Sequence, residues 1–97
     1  MVIRQHDVVP ARDDNEKLSF FVVTSIFIAG GQEFILAHTY RVAEFDEDLF
    51  SFRVMQSSGI ERLDCNRLLS PSRHGRLFLG EEQFVPKMVH YNYNESI

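Results

Sequence analysis

The chain has 97 residues and a net charge of −4, and 44% of its residues are hydrophobic, nine of them Phe. This length and composition suit one folded domain with a single packed core, and they argue against a disordered, fibrous or multidomain chain. The mild negative charge favours solubility and does not favour nonspecific binding to nucleic acid, which depends on neutralising phosphates.

The sequence contains no indication of secretion or membrane insertion. Arg4, His6 and Asp7 lie where a signal peptide would need apolar residues. The longest apolar run, 18–31, is shorter than the roughly 20 residues that a membrane-spanning helix needs. Cys65 is the only cysteine, so an internal disulfide is impossible. We therefore expect a cytoplasmic protein without a membrane partner, with Cys65 as a small buried hydrophobic residue.

In chain order, the first feature is a polar segment. Residues 1–17 hold Pro10 and a charged cluster at 12–17, and Val8 and Val9 form their only apolar pair after the first three residues. This segment predicts a flexible or loosely docked arm, or alternatively a short helix that starts near Asp13. Residues 18–97 are then expected to form a single β domain.

Two long strands are predicted next. Residues 20–28 are aromatic and β-branched on both alternating faces, as in a strand buried on both sides or bent around a barrel. Gly30-Gly31 supplies the positive φ angles of a tight hairpin turn. Residues 32–45 alternate between apolar and polar and lack Pro and Gly, so they predict a second strand, long enough that it must curve.

The remaining segments are shorter. Residues 49–55 predict a strand that Ser57-Ser58-Gly59 ends, and 60–69 are ambiguous. A loop at 70–75, a short strand at 76–79 and a turn at 80–82 follow. Residues 83–93 form either a last strand or a helix; a strand would belong at a sheet edge, because Pro86 has no N–H to donate. The sum is a mainly β fold, a small antiparallel barrel of five or six strands.

The order of these elements resembles the small Sm-like barrels, which include the Sm and Hfq proteins and have an SH3-like form. The features that carry the resemblance are Gly31-Gln32-Glu33-Phe34, the acidic stretch 44–49 and Ile60-Glu61-Arg62-Leu63-Asp64-Cys65-Asn66-Arg67-Leu68-Leu69-Ser70. The last segment is similar to the ending of the Rof-type inhibitors of the termination factor Rho and to the end of WYL ligand-sensing domains. The resemblance implies a barrel, and for Sm proteins a ring that binds RNA. Asp46 matches the acidic position of the Sm signature, but Leu49-Phe50-Ser51 stands where Sm proteins carry the Asn that stacks on RNA.

Four acidic side chains lie within five residues of the chain: Glu44, Asp46, Glu47 and Asp48. Carboxylates can hold Ca²⁺, but this stretch lacks the Gly and the alternate spacing of an EF-hand loop. It predicts a solvated turn, or a surface that binds a basic partner such as a nucleic-acid-binding protein. Either way, its charge would keep strand edges from pairing with other chains.

Eight of the ten basic residues are Arg, and Arg guanidinium groups bind carboxylates or phosphates in a fixed geometry. The candidate anion-binding or RNA-binding residues are Arg62, Arg67, Arg73 and Arg76. The alternative is that these arginines form ordinary salt bridges with the acidic stretch.

No grouping of residues in the sequence indicates catalysis, a metal site or a cofactor. The four histidines are far apart in sequence and none lies near Cys65. The predicted function is a small non-enzymatic regulatory or adaptor module that binds another protein through a strand edge and charged rims. The alternative is an RNA-binding Sm-like ring. The apolar tail, with Val89, Tyr91 and Tyr93, also suggests association into a homo-oligomer.

Overall fold

Six β-strands form the regular structure of the part of the chain that the computed structural model describes, residues 3–63, 67–69 and 72–93. The strands are β1 (Val8–Arg12), β2 (Leu18–Ala29), β3 (Gln32–Asp46), β4 (Ser51–Leu63), β5 (Leu77–Leu79) and β6 (Glu82–Pro86). They form one sheet in the order β1-β2-β3-β4-β6-β5, with every pair antiparallel. The predicted mainly β, antiparallel fold is confirmed.

The β2–β3 hairpin forms where the Gly-Gly pair predicted it. Gly30 and Gly31 have φ angles of +59° and +78°, which residues with a Cβ rarely adopt. Ala29 pairs with Gln32, so the loop between the strands has two residues. Positive φ at both central positions is typical of the type I′ turn, whose twist matches that of the flanking strands.

β3 and β4 are long because bulges bend them instead of ending them. The register between the two strands shifts between His38 and Tyr40 and again between Val42 and Glu44. Gly59 has a φ of +88° and lies within β4, which continues to Leu63. The predicted strand end at 57–59 is therefore wrong: the Gly accommodates an irregularity in a continuous strand.

The sheet has a hydrophobic core on each face. Adjacent residues of β2 belong to different cores, because successive side chains of a strand point to opposite faces. Phe20 lies in a cluster with Val8, Val22, Tyr40, Val54, Val85 and Tyr93. Phe21 lies in a second cluster with Val9, Ala11, Val23, Ile35, Ala37 and Leu63. Tyr91 packs against the first core, and Ile3 and Leu68 pack against the second.

The N-terminal segment is more ordered than its polarity predicted. Val8–Arg12 form β1, and Val8, Val9 and Ala11 are buried. The predicted flexible or loosely docked arm is thus wrong for Val8–Arg12, and residues 13–17 form a turn instead of the short helix predicted to start near Asp13. The physical reason is that both faces of β1 are covered by distant parts of the chain, so its alternate side chains enter both cores. The predicted limits of the domain stay a prediction.

The predicted closed barrel is not confirmed. Among the described residues, no ladder joins the outer strands β1 and β5, so the sheet is open. The outer edge of β1 is instead covered by single bridges, from Val8 to His74 and from Ala11 to Leu68.

The C-terminal segment resolves the choice between strand and helix at 83–93. Its regular part is the strand β6, which lies between β4 and β5. The expectation that Pro86 places this strand at an edge is wrong, because Pro86 is the last residue of β6 and does not interrupt its ladder. The predictions for Cys65, Ser70 and Pro71 lie outside the described residues.

In the part of the chain that the structure describes, no helix is long and apolar enough to cross a membrane.

Candidate functional site

β5 is an outer strand of the sheet and its most exposed apolar strand. β5 consists of Leu77, Phe78 and Leu79, with exposed fractions of 36%, 56% and 46%. Within the described ranges it pairs with β6 alone. Natural sheets usually protect such an edge with Lys, Pro, a bulge or a covering segment. β5 itself contains neither Lys nor Pro, so we take this strand as the candidate site.

The turn after β5 determines which backbone groups face outward. Leu79 pairs with Glu82 around the two-residue loop Gly80-Glu81, and Gly80 has a φ of +62°, as at the first central position of a type II′ turn. The residues that flank such a loop exchange hydrogen bonds with each other, and the pairing then alternates along the strands. Leu79 and Leu77 therefore direct their N–H and C=O groups toward β6. Phe78 directs its own away from β6, at the open edge.

Arg76 lies at the entrance to β5 and packs on aromatic rings. Its guanidinium carbon lies 5.0 Å from the centre of the Phe78 ring and 5.7 Å from that of Tyr40. Cation–π contacts of this length favour a guanidinium held over the ring face. The other end of β5 is acidic, with Glu81 in the turn and Glu82 at the start of β6. The edge therefore carries a positive charge before the strand and negative charges after it.

His74 fixes the segment that leads into β5. Its backbone N–H donates to the carbonyl of Val8 at 2.9 Å. Its ring Nδ1 lies 3.1 Å from the Ser72 carbonyl, and its Nε2 lies 2.6 Å from the Tyr93 hydroxyl. The carbonyl can only accept, so Nδ1 carries the proton and Nε2 accepts from Tyr93. Burial lowers the pKa of His74 below its usual 6.5, and the bond to Ser72 opposes this in part.

Tyr93 connects this histidine to the C-terminal tail. Its hydroxyl also accepts a hydrogen bond from the backbone N–H of Met88 at 2.9 Å. Its ring packs edge-on against Phe52 and Phe20, with centroids 5.3 Å and 6.4 Å away. Burial raises the pKa of the Tyr93 hydroxyl, so the group stays protonated and keeps donating. The sequence placed Tyr93 in an apolar tail and did not predict its pairing with His74.

No family model, curated protein or solved structure matches this chain. The resemblance to Sm-like barrels therefore stays a prediction.

The acidic stretch forms the end of β3 and the turn into β4. Glu44 Oε1 accepts a hydrogen bond from Arg53 Nε at 2.9 Å, and Asp46 Oδ1 accepts one from the Leu49 N–H at 3.1 Å. Glu47 and Asp48 are exposed in the turn itself. Two of the four acids thus stabilise the local structure, and the other two face solvent.

Two aromatic rings flank this turn. Phe45 and Phe50 pack edge to face with centroids 5.6 Å apart. The Lys87 ammonium lies 5.4 Å from the Phe45 centroid and 5.8 Å from that of Phe50. The Lys87 N–H also donates to the Phe50 carbonyl at 3.0 Å, which joins the turn to the end of β6.

The four candidate arginines do not form one cluster with a shared set of contacts. Arg62 lies over Phe34 near the β2–β3 turn, at 5.3 Å from its ring centre. Arg67 Nη2 lies 3.4 Å from Asp14 and 3.6 Å from Glu61, and Arg73 Nε donates to Asp7 at 3.1 Å. Arg76 lies beside β5, over the rings of Phe78 and Tyr40. None of the ion pairs described for these arginines involves the acidic stretch, where the basic partner is Arg53.

Two open grooves flank the turn between β1 and β2, with volumes of about 310 Å³ and 220 Å³. Asp13 lines both, and its side chain also holds the turn by accepting from the N–H groups of Asn15 and Lys17 at 2.8 Å and 3.0 Å. In the smaller groove, the buried Thr39 hydroxyl has no hydrogen-bond partner among the described residues. The lining mixes acids with Arg41 and Arg67 and so does not favour one ligand charge.

The contacts of His38 are structural, like those of His74. The ring Nδ1 of His38 lies 3.1 Å from the Gly59 carbonyl and 3.2 Å from the Gln56 side-chain nitrogen. Among residues 3–63, 67–69 and 72–93, no three His, Cys, Asp or Glu side chains are grouped as a metal ion would require.

Proposed function

We propose that this chain is a non-enzymatic binding module that takes up an extended segment of another protein as an added strand beside β5. The single observation that carries the proposal is the open, apolar edge of β5, where Phe78 presents its N–H and C=O groups outward. In strand addition, backbone hydrogen bonds supply affinity and alternate side-chain contacts supply specificity.

The side chains around β5 favour a partner with alternating apolar residues. Leu77 and Leu79 share one face of the sheet, and Phe78 lies on the other. Phe84, which pairs with Leu77, is buried, so the Leu face continues into packed structure. A partner strand that places an apolar side chain on each face would bury all three residues of β5.

The acidic stretch supplies a charged rim for the proposed binding edge. Ser51, which follows the turn, pairs with Pro86 at the same end of β6 as the entrance to β5. Neighbouring strands lie about 4.8 Å apart, so a segment bound beside β5 lies roughly 14 Å from β4, across β5 and β6. Basic side chains that extend from the bound segment toward this turn would be attracted by Glu47 and Asp48, which favours a basic partner.

RNA binding is not the function that we propose. Val54 is the last residue of β4 that pairs with β6, and Arg62 lies eight residues further along β4, which corresponds to roughly 26 Å. Because β6 pairs with Ser51–Val54, Arg62 and Arg76 lie at opposite ends of the sheet. Arg67 and Arg73 are engaged with acids near β1. A phosphate backbone would have to replace these ion pairs at separate places.

A second open edge provides a matched comparison for the test. β2 extends beyond its pairing with β1, and Ile28 is 75% exposed. Ile28 stands one residue before the pair that closes its hairpin, as Phe78 does in the other hairpin. In both places the N–H points away from the hairpin partner, so Pro at either position leaves that hairpin's hydrogen bonds in place.

The experiment selects binding peptides from a displayed library of random 12-residue sequences and compares two variants, Phe78→Pro and Ile28→Pro. We expect peptides with alternating apolar residues and no central Pro. Their affinity should fall about tenfold or more in Phe78→Pro, because a backbone hydrogen bond and the strand contacts around it are lost, and it should be kept in Ile28→Pro. The opposite ranking, or equal affinity in both variants, would overturn the proposal.

A further inference from the structure

We propose that the strand bound at the β5 edge is β5 of a second copy of this chain, in a two-fold symmetric pair centred on Phe78. This inference rests on the proposed function, since both require the edge to accept a strand. It goes further by naming the occupant and its register.

The sequence of β5 is symmetric about its centre. Leu77-Phe78-Leu79 reads the same in both directions, so antiparallel pairing about Phe78 places Leu77 opposite Leu79 of the second copy, and Phe78 opposite Phe78. A two-fold interface uses the same patch on both chains and needs this kind of self-complementarity. Directly opposed aromatic and aliphatic pairs are also favourable cross-strand neighbours.

The backbone alternation agrees with this register. Phe78 directs both its N–H and its C=O away from β6, so two copies of Phe78 can exchange two hydrogen bonds across the axis. Shifting the register by one residue would place Phe78 opposite a Leu of the second copy whose backbone groups face β6. The symmetric register is therefore the one in which the outward groups of both chains meet.

Charge complementarity provides a second and independent argument. In this register Arg76 lies opposite Gly80 and beside Glu81 of the second copy, and the symmetry repeats the contact on the other side. Each chain has a net charge of −4, so two copies repel each other overall. The paired Arg76 and Glu81 supply local attraction where the edges meet. The tip of β2 is also apolar and has Glu33 opposite Ile28, but β2 itself contains no basic residue before Phe27 that could take the role of Arg76.

The size of the contact predicts a weak, reversible dimer. β5 has three residues, and stable protein interfaces bury at least about 1,200 Å² in total. Leu77, Phe78 and Leu79 supply a smaller apolar area than that. We therefore expect monomers and dimers in exchange, with a dimer fraction that rises with protein concentration.

The test uses the full chain in sedimentation velocity over a range of concentrations, with the variants Arg76→Glu and Glu81→Arg. Each variant alone places like charges beside each other twice, so it should stay monomeric where the wild type dimerises. In a 1:1 mixture of the two variants, the introduced acid of one chain lies beside the introduced base of the other. The unchanged Arg76 and Glu81 then meet on the opposite side of the axis. The mixture should therefore recover the dimer, which also shows that both variants fold.

Wild-type protein that stays monomeric at every concentration would overturn the inference, as would single variants that dimerise like the wild type. The peptide experiment separates the two proposals. If the wild type is monomeric but its peptides fail to bind Phe78→Pro, the second copy is not the occupant and the strand-addition function stands. If the wild type is monomeric and peptide binding ignores Phe78, both proposals are wrong.

Discussion

The contact between Tyr93 and His74 should be a major source of stability in this small protein. Tyr93 is 7% exposed, and its hydroxyl makes two hydrogen bonds, to His74 at 2.6 Å and from Met88 at 2.9 Å. Tyr93→Phe keeps the ring and removes both bonds. Each bond contributes about 1 kcal/mol, and the buried His74 nitrogen left without a donor adds a desolvation cost, so the free energy of unfolding should fall by about 2–3 kcal/mol.

Tyr40→Phe is the matched control. The Tyr40 hydroxyl donates to Gln56 at 3.2 Å and accepts from Arg76 at 3.4 Å. These bonds are longer, and both partners are exposed and can bind water instead. The expected loss is below about 1 kcal/mol.

Urea unfolding followed by far-ultraviolet circular dichroism measures both variants, and thermal unfolding checks them. At roughly 4–8 °C per kcal/mol for a domain of this size, Tyr93→Phe should lower the Tm by roughly 10 °C or more. Equal losses in the two variants, or a loss below about 1 kcal/mol in Tyr93→Phe, would show that the tail is not held by this hydroxyl.

Two further predictions concern pH and the backbone. Burial lowers the pKa of His74, so the unfolded chain takes up this proton at a higher pH than the folded chain; the free energy of unfolding should fall as the pH is lowered from about 6.5 toward the folded pKa. The urea midpoint, measured between about pH 5 and 8, should fall less with decreasing pH in His74→Gln than in the wild type. An equal fall in both proteins would show that His74 does not cause this pH dependence. Gly59→Ala should destabilise the protein by about 1 kcal/mol or more, because Gly59 has a φ of +88° although a Cβ would meet no atom within 4 Å. The same urea titration, with Gly75→Ala at an ordinary φ as the control, tests this, and equal effects would refute it.

The sequence predicted local structure well where one residue type has one conformational meaning. Gly30-Gly31 predicted the hairpin, because few residues tolerate positive φ, and the aromatic and β-branched run predicted β2. Gly59 misled the prediction, since a Gly within a strand can mark a bulge as well as an end. Whether such a Gly ends a strand or marks a bulge depends on whether pairing with the neighbouring strand continues beyond it. Here the pairing continues between Ile60 and His38, a pair that local sequence does not identify.

Long-range pairing limited the rest. Val8–Arg12 looked like an arm because the residues that bury them, such as His74 and Leu68, are far away in sequence. The short strand at 76–79 and the turn after it were predicted with little error. The position of this strand at the edge of the sheet was not predicted, because β6 inserts between β4 and β5. The candidate site is therefore a property of strand order and not of a motif. Arg62, Arg67 and Arg73 are likewise placed by separate contacts with residues far away in sequence.

The presence of a core on each face of one sheet has a consequence for how residues influence each other. Phe20 and Phe21 are covalent neighbours, yet their side chains lie on opposite sides of the backbone and share few packing partners. Phe20 and Tyr93 are far apart in sequence, yet they pack in the same cluster. Energetic coupling between mutations depends on shared contacts. Double substitutions should therefore be nearly additive for the adjacent residues Phe20 and Phe21 and non-additive for Phe20 and Tyr93, so that energetic coupling in this protein follows the side of the sheet and not the order of the chain.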